Sequence, residues 1–324
     1  MIVVAGEALI DLVPAPSPAD PASGLPQLMP RRGGGPYNVA VALGRLGSPT
    51  SFCSRISTDA FGEALLSGLR DAGAGTELVQ RGPEPTTLAV ADVGSDGSAG
   101  YGFYTEGTAD RLFALPPALP DGVTALSVGT CSLVLEPGAS AYEALLRRES
   151  AGGVFTALDP NIRPGLIADA DAYRERFRSW LPHVALLKLS VEDARWLAGT
   201  GTGTGTDSGS DDGLETHLAA WLELGPAAIV LTRGGDGLTV WSRGAGRVGV
   251  PGTPVTVVDT IGAGDTVNAA LLHRLREVGA LSHAAVAALG VEVWRDVLGF
   301  AARAAALTCS RAGAEPPYAR ELSA

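Results

Sequence analysis

The sequence predicts an α/β protein: a mostly parallel sheet covered on both faces by helices. Three observations carry this. Short, continuously apolar runs alternate with alanine- and leucine-rich amphipathic segments along almost the whole chain. Buried parallel strands read this way because both of their faces are covered. Polar and glycine-rich motifs follow directly after several apolar runs, where the carboxyl ends of parallel strands open onto ligands. Two stretches break the alternation and suggest a second, smaller sheet.

In chain order, strands are expected at 2–5, 50–54, 125–128, 154–158, 184–189 and 228–232, with helices at 61–72, 140–150, 172–181 and 214–224. Residues 11–32 are rich in proline and polar side chains, and 86–104 form a hairpin pattern turning at 95–98. Together these two stretches predict a small antiparallel sheet standing off the main one as a lid. The glycine- and threonine-rich run at 200–213 reads as a mobile surface loop without site chemistry. With no repeat and no linker, residues 1–324 are expected to form one domain.

Composition narrows the function. A net charge of −11 excludes a nucleic-acid surface, which needs clustered basic residues. It does not exclude nucleotides, because backbone amides and helix ends bind phosphate unaided. Cys53, Cys131 and Cys309 are too scattered for a zinc site or a disulfide framework. No apolar run is long enough to span a bilayer and no signal segment opens the chain, so no membrane partner and a cytoplasmic location are expected. The 24 basic residues include one lysine, Lys188, followed by Leu189. That rules out a Walker A loop, which needs Gly-Lys-Ser/Thr. Protein-kinase signatures are absent too. Lys188 itself is expected at a strand end on the surface.

The strongest constellation is Asp259-Thr260-Ile261-Gly262-Ala263-Gly264-Asp265, between a β-like run at 256–258 and a helix. Val267, Ala270, Leu271, Leu275 and Val278 recur at helical spacing after it. Gly262, Ala263 and Gly264 therefore start that helix, where free N–H groups and the helix dipole attract anions. Asp265 falls in the first turn, placed to take a proton from a hydroxyl attacking the anion. The bland alternative is a turn followed by a first-turn acid that the dipole favours.

Gly33-Gly34-Gly35-Pro36-Tyr37-Asn38 opens another helix, with Pro36 suited to its first position. Its backbone can touch a polyol and Asn38 can donate and accept, or it is simply a capped loop. Gly6-Glu7-Ala8-Leu9-Ile10-Asp11 follows the first strand, where Asp11 can accept from hydroxyls. Arg163, after Asp159-Pro160-Asn161, is a phosphate candidate. Ser190-Val191-Glu192-Asp193 follows the strand holding Lys188, and its acids suit either hydrated Mg²⁺ or helix capping. Thr232-Arg233-Gly234-Gly235-Asp236-Gly237 can carry a nucleotide. Residues 244–249 match Gly-x-Gly-x-x-Gly, but no helix follows, so they read as a hairpin turn. The four histidines show no metal spacing.

In this order the motifs resemble the ribokinase-like (PfkB) carbohydrate kinases, from Gly6-Glu7 to Gly313-Ala314. The resemblance implies a three-layer α/β/α sandwich with a small β-sheet lid. It implies ATP-dependent phosphorylation of a sugar hydroxyl, with Asp265 as base and Gly262, Ala263 and Gly264 as anion hole. Asp11, Gly34, Gly35, Asn38, Tyr104 and Arg163 would meet the sugar. Ser190, Thr232, Gly234 and Gly237 would meet the nucleotide. Mg²⁺ would bridge the phosphates, with Asp193 and Glu192 reaching it through water, and some relatives use a monovalent cation such as K⁺ near the position of Asp259. A homodimer through the lid is also implied.

Gly-Glu-Ala-Leu-Ile-Asp, Tyr101-Gly102-Phe103-Tyr104, Asp-Pro-Asn-Ile-Arg-Pro and Lys-Leu-Ser-Val-Glu-Asp resemble the fructokinase and 2-keto-3-deoxygluconate kinase branch, with fructose the favoured acceptor. Ribose or a nucleoside remains the alternative acceptor. Two departures stand out: Ser190-x-x-Asp193 replaces Asn-x-x-Glu, and Ala302 stands where relatives often carry asparagine near adenine. A sugar sensor without catalysis would have lost Asp265 or its glycines. A dehydrogenase would carry a glycine fingerprint after the first strand, which Gly6-Glu7-Ala8-Leu9 lacks.

Overall fold

The computed structural model describes residues 1–15, 26–93, 99–200 and 211–322. The turn expected at 95–98, the middle of the 11–32 stretch and most of the 200–213 run lie outside the described residues.

The strands are β1 (Ile2–Ala5), β2 (Leu9–Pro14), β3 (Leu28–Gly33), β4 (Thr50–Ser57), β5 (Val79–Gly82), β6 (Leu88–Val93), β7 (Ala99–Tyr104), β8 (Ala125–Gly129), β9 (Phe155–Asp159), β10 (Leu186–Ser190), β11 (Ala228–Thr232), β12 (Leu238–Ser242) and β13 (Gly246–Val250). Nine of them form one sheet in the order β13-β12-β11-β10-β9-β8-β1-β4-β5. Pairings from β11 across to β5 are parallel, and β12 and β13 add an antiparallel edge. Residues 244–249 are indeed a hairpin turn and its outgoing strand.

The helices are α1 (Gly35–Arg45), α2 (Ala60–Asp71), α3 (Gly138–Ala151), α4 (Ala170–Trp180), α5 (Val191–Ala198), α6 (Asp211–Leu224), α7 (Ala263–Glu277), α8 (His283–Ala287) and α9 (Val291–Cys309). They divide between two apolar cores, one on each face of the sheet. Ile2 and Val4 of β1 join Leu43, Leu65, Leu271 and Trp294, from α1, α2, α7 and α9. Val3 and Ala5 join Leu145, Trp180, Leu197 and Leu218, from α3 to α6. Alternate residues of one strand thus serve opposite cores, and this is why the strands show no polar alternation. Burying each large side chain contributes about 1.5–3 kcal/mol, so a polar residue on either face would be costly.

The chain runs from β1 to β4 on one side, while β8 pairs with β1 on the other. The strand order reverses there, opening a crevice beyond the carboxyl ends of β1 and β8. Over it stands the second sheet, β3-β2-β6-β7. It occupies the stretches expected for a lid but is mixed, because β2 pairs with β6 in parallel. Asp11 lies on its strand β2, not in a loop at the edge of the main sheet.

One expected strand does not form. Residues 256–258 pair with no strand, and Val257 and Val258 are 60% and 61% exposed. A Val258 N–H bond to the Cys309 carbonyl, at 2.8 Å, ties this connector to the end of α9. Its β-branched residues mimic a strand, but among the described residues no strand pairs with them.

Candidate active site

The crevice holds a cavity of about 290 Å³. Glu7, Asp11, Asn38, Thr130, Arg163 and Asp265 face it, together with the Gly34, Gly35, Gly262 and Gly264 backbone. Elements far apart in sequence therefore supply one polar surface. Gly34 has a φ of 101°, and a Cβ there would come within 2.8 Å of the Glu7 carbonyl. Glycine is required for α1 to start this close to the end of β1.

Asp265 sits in the first turn of α7 and is only 7% exposed. Asn38 Nδ2 donates to its Oδ2 at 2.8 Å. Burial raises the Asp265 pKa, opposed by that hydrogen bond and by the charges of Lys188 and Arg163. Asn38 thus orients Asp265 with one of its two N–H donors. Asp11 is pushed up to about 6 by burial and by the negative charge of Asp265, with Arg163 opposing.

Gly262 caps α7 in a left-handed conformation, φ 75°. Thr266 N–H makes the first helical bond, to the Gly262 carbonyl, and Ala263 N–H closes a turn on Thr260. The N–H groups of Gly264 and Asp265 keep no carbonyl partner among the described residues, as an anion site at a helix start requires.

Two residues were underread from sequence. Lys188 is not at the surface: it is 4% exposed and its Nζ is 2.8 Å from Asp159 Oδ2. A Cβ on Gly264 would sit 3.0 Å from that Nζ, so a buried ammonium lies directly against the helix start. Burial alone would lower its pKa, but Asp159, Asp193 and Asp265 outweigh burial and raise it. Being the only lysine was the available signal. Glu7 is also buried, accepting from Ser132 N–H at 3.0 Å, Gly35 N–H at 3.2 Å and the Thr130 hydroxyl. Burial lifts it to about 7. It ties the ends of β1 and β8 to the start of α1, a role visible only in three dimensions.

A second cavity, of about 240 Å³, lies on the other side of the α7 start. Thr232, Gly234, Gly237 and Ala302 line it with valines and alanines, and Thr260 and Gly264 border both cavities.

Other expected residues lie elsewhere. Tyr104 is 66% exposed, and it is Phe103, on the opposite face of β7, that reaches the first cavity. Ser190 borders neither cavity; its hydroxyl accepts Asp193 N–H at 2.9 Å and caps α5. Asp193 accepts Ser190 N–H at 3.1 Å with one oxygen and Ile162 N–H at 2.7 Å with the other. Glu192 is exposed. Asp193 thus caps α5, with both of its oxygens engaged by backbone N–H groups. Asp259 likewise gives its oxygens to Ile261 N–H at 3.0 Å and Gly313 N–H at 2.8 Å. No cluster of three metal-ligating side chains occurs among the described residues, and no described helix is long and apolar enough to cross a membrane.

A carboxylate beside an anion-binding helix start, with a polar hollow on one side and an apolar one on the other, suits transfer of an anionic group between two bound molecules. The known proteins agree. Residues 1–320 match the model of the pfkB family carbohydrate kinases, and the chain belongs to that family. A fructokinase of Rhizobium leguminosarum bv. trifolii is 38% identical over 298 residues, which are 91% of this chain and 86% of that one. Fructokinase-2 of Zea mays is 29% identical over 98% of this chain and 90% of its own. Among solved structures, fructokinase from Xylella fastidiosa with bound ATP aligns at TM-score 0.85 and 26% identity, over 99% of this chain and 96% of that one.

Proposed function

We propose that the protein phosphorylates fructose with ATP. The observation that carries this is the position of Asp265, at the junction of the two cavities and beside the Gly264 amide that borders both. Fructose would occupy the polar cavity, beneath Phe103, hydrogen-bonded by Asp11, Asn38 and Arg163. ATP would occupy the apolar cavity, along Thr232, Gly234 and Gly237. Asp265 takes the hydroxyl proton as the sugar oxygen bonds to the γ-phosphorus and the bond to the ADP oxygen breaks. The Gly264 and Asp265 N–H groups receive the charge on the transferring oxygens, helped by Lys188 behind them. All three proteins above are named fructokinase, which supports the acceptor. Mg²⁺ would neutralise phosphate charge, carried by the nucleotide and not by a protein carboxylate pair. K⁺ near Asp259 would rely on backbone carbonyls. The whole chain would act as one catalytic unit that dimerises through the lid.

The test is ADP release with Mg·ATP across fructose, ribose, 2-keto-3-deoxygluconate, glucose, adenosine and no acceptor. Fructose is expected to give the highest kcat/KM. Silence throughout, with fructose still raising the melting temperature, would replace the kinase with a sugar sensor.

A further inference from the structure

A further cavity, of about 10 Å³, lies among Gly35, Ser127, Thr130, Asp159, Asp265 and Asn268. The starts of α1 and α7 meet the carboxyl ends of β8 and β9 around it. Two oxygens of its lining residues lack a hydrogen-bond partner among the described residues, Asp159 Oδ1 and Asn268 Oδ1. Both side chains are buried, at 3% and 2% exposed. Buried polar atoms are nearly always paired, and leaving two acceptors unpaired in one place is costly.

The remaining atoms of these side chains are engaged. Asp159 Oδ2 takes Lys188 Nζ at 2.8 Å, and Asn268 Nδ2 donates to Ser127 Oγ at 3.2 Å. Asp265 Oδ2 accepts from Asn38, while its Oδ1 lies toward Gly35, 3.3 Å from where a Cβ would stand. Three acceptors from separate elements thus border one small space. The size is that of a single water, which needs roughly 10–15 Å³ and two to four polar partners. The two hydrogens of a water would serve Asp159 and Asp265. Turning the Asn268 amide over lets Ser127 donate to the amide oxygen and the amide N–H donate to the water, so every group is paired. A cation is disfavoured, because the Lys188 ammonium already lies against Asp159.

We propose that this cavity binds one water that hydrogen-bonds Asp159, Asn268 and Asp265, and that Asp159 and Asn268 are positioning residues for the base. Asn38 holds one Asp265 oxygen and the water holds the other, which keeps the carboxylate aimed at the acceptor hydroxyl. A donor to a carboxylate favours its charged form, so the water opposes the burial that raises the Asp265 pKa. Lys188 and Arg163 act in the same sense, and the surrounding acids Glu7, Asp11 and Asp159 act against it. The positioning role rests on the reading of Asp265 as base; the binding of the water does not.

Crystals of the intact protein diffracting to about 1.2 Å test the binding, and the pH dependence of fructose phosphorylation in Asn268→Leu tests the positioning. A density peak within hydrogen-bond reach of Asp159, Asn268 and Asp265 is expected. Asn268→Leu, close in volume but without an amide, should expel the water and move the acid limb of kcat upward by about one pH unit, with KM for fructose within about twofold of the parent. Asn268→Ala leaves room for a second water and should move the limb less, in the same direction. No peak, or a peak that gains anomalous signal from rubidium, would overturn the site. A limb that stays put in both variants, even with a lowered Tm, would overturn the positioning role. Should fructose prove not to be the acceptor, the peak still decides the site, and the limb is read with the acceptor that turns over.

Discussion

The two cavities that meet at the start of α7 are made of opposite materials. The cavity beneath Phe103 is walled by charged and hydrogen-bonding groups anchored to regular elements, with Asn38 on α1, Asp11 on β2 and Asp265 on α7. The other is walled mainly by glycine, valine and alanine, much of it from loops. The contrast bears on selectivity. A cavity of fixed donors and acceptors penalises any acceptor that leaves one of them unpaired. A smooth apolar slot accepts a flat ring with few directional demands. Fidelity is thus expected on the acceptor side and tolerance on the nucleotide side. Ala302, in place of an amide, extends that tolerance.

The comparison breaks most severely at the junction. Asp265→Asn should lower kcat by about two or more orders of magnitude while fructose binding, followed by calorimetry, stays close to the parent's. A fully active variant would remove Asp265 from the chemistry.

Lys188→Met comes next, because it leaves the buried Asp159 carboxylate without its cation. Losing one partner of a buried pair costs about 3–5 kcal/mol, which should appear as a loss of roughly 10 °C in Tm. An unchanged Tm would show that the pair carries no stability. Lys188→Met/Asp159→Asn should recover much of the loss, since no buried charge is left behind.

On the acceptor side, Phe103→Ala should raise KM for the sugar roughly tenfold, whereas Tyr104→Ala should change it less than about twofold. Equal effects would mean that β7 turns its other face to the sugar.

The smallest effect expected is a pH dependence. Because the folded Asp11 pKa is raised to about 6 from an ordinary 3.8, the folded chain holds this proton more tightly than the unfolded one. Its contribution therefore falls as pH rises from about 4 to about 6 and stays low above that. Asp11→Asn should lack this decline and gain stability relative to the parent across that window, by roughly 1–2 kcal/mol allowing for partial exposure. Parallel Tm curves at pH 4 and pH 7 would contradict it.

Much of the fold was legible locally. Uninterrupted apolar strands required two covered faces, and the Gly262-Ala263-Gly264-Asp265 helix start follows from spacing and backbone chemistry alone. The sequence by itself determined most of the individual strands and helices, the two glycine-rich helix starts and the turn before α7, because these depend on neighbours within a few residues. Only the tertiary structure decided which face of β7 turns to the first cavity and that residues 256–258 join no strand among the described residues. It alone brought Lys188 under Gly264 and Glu7 between Gly35 and Ser132. Those outcomes depend on contacts between residues tens to hundreds of positions apart. A side chain's local pattern does not record what the folded chain will place beside it.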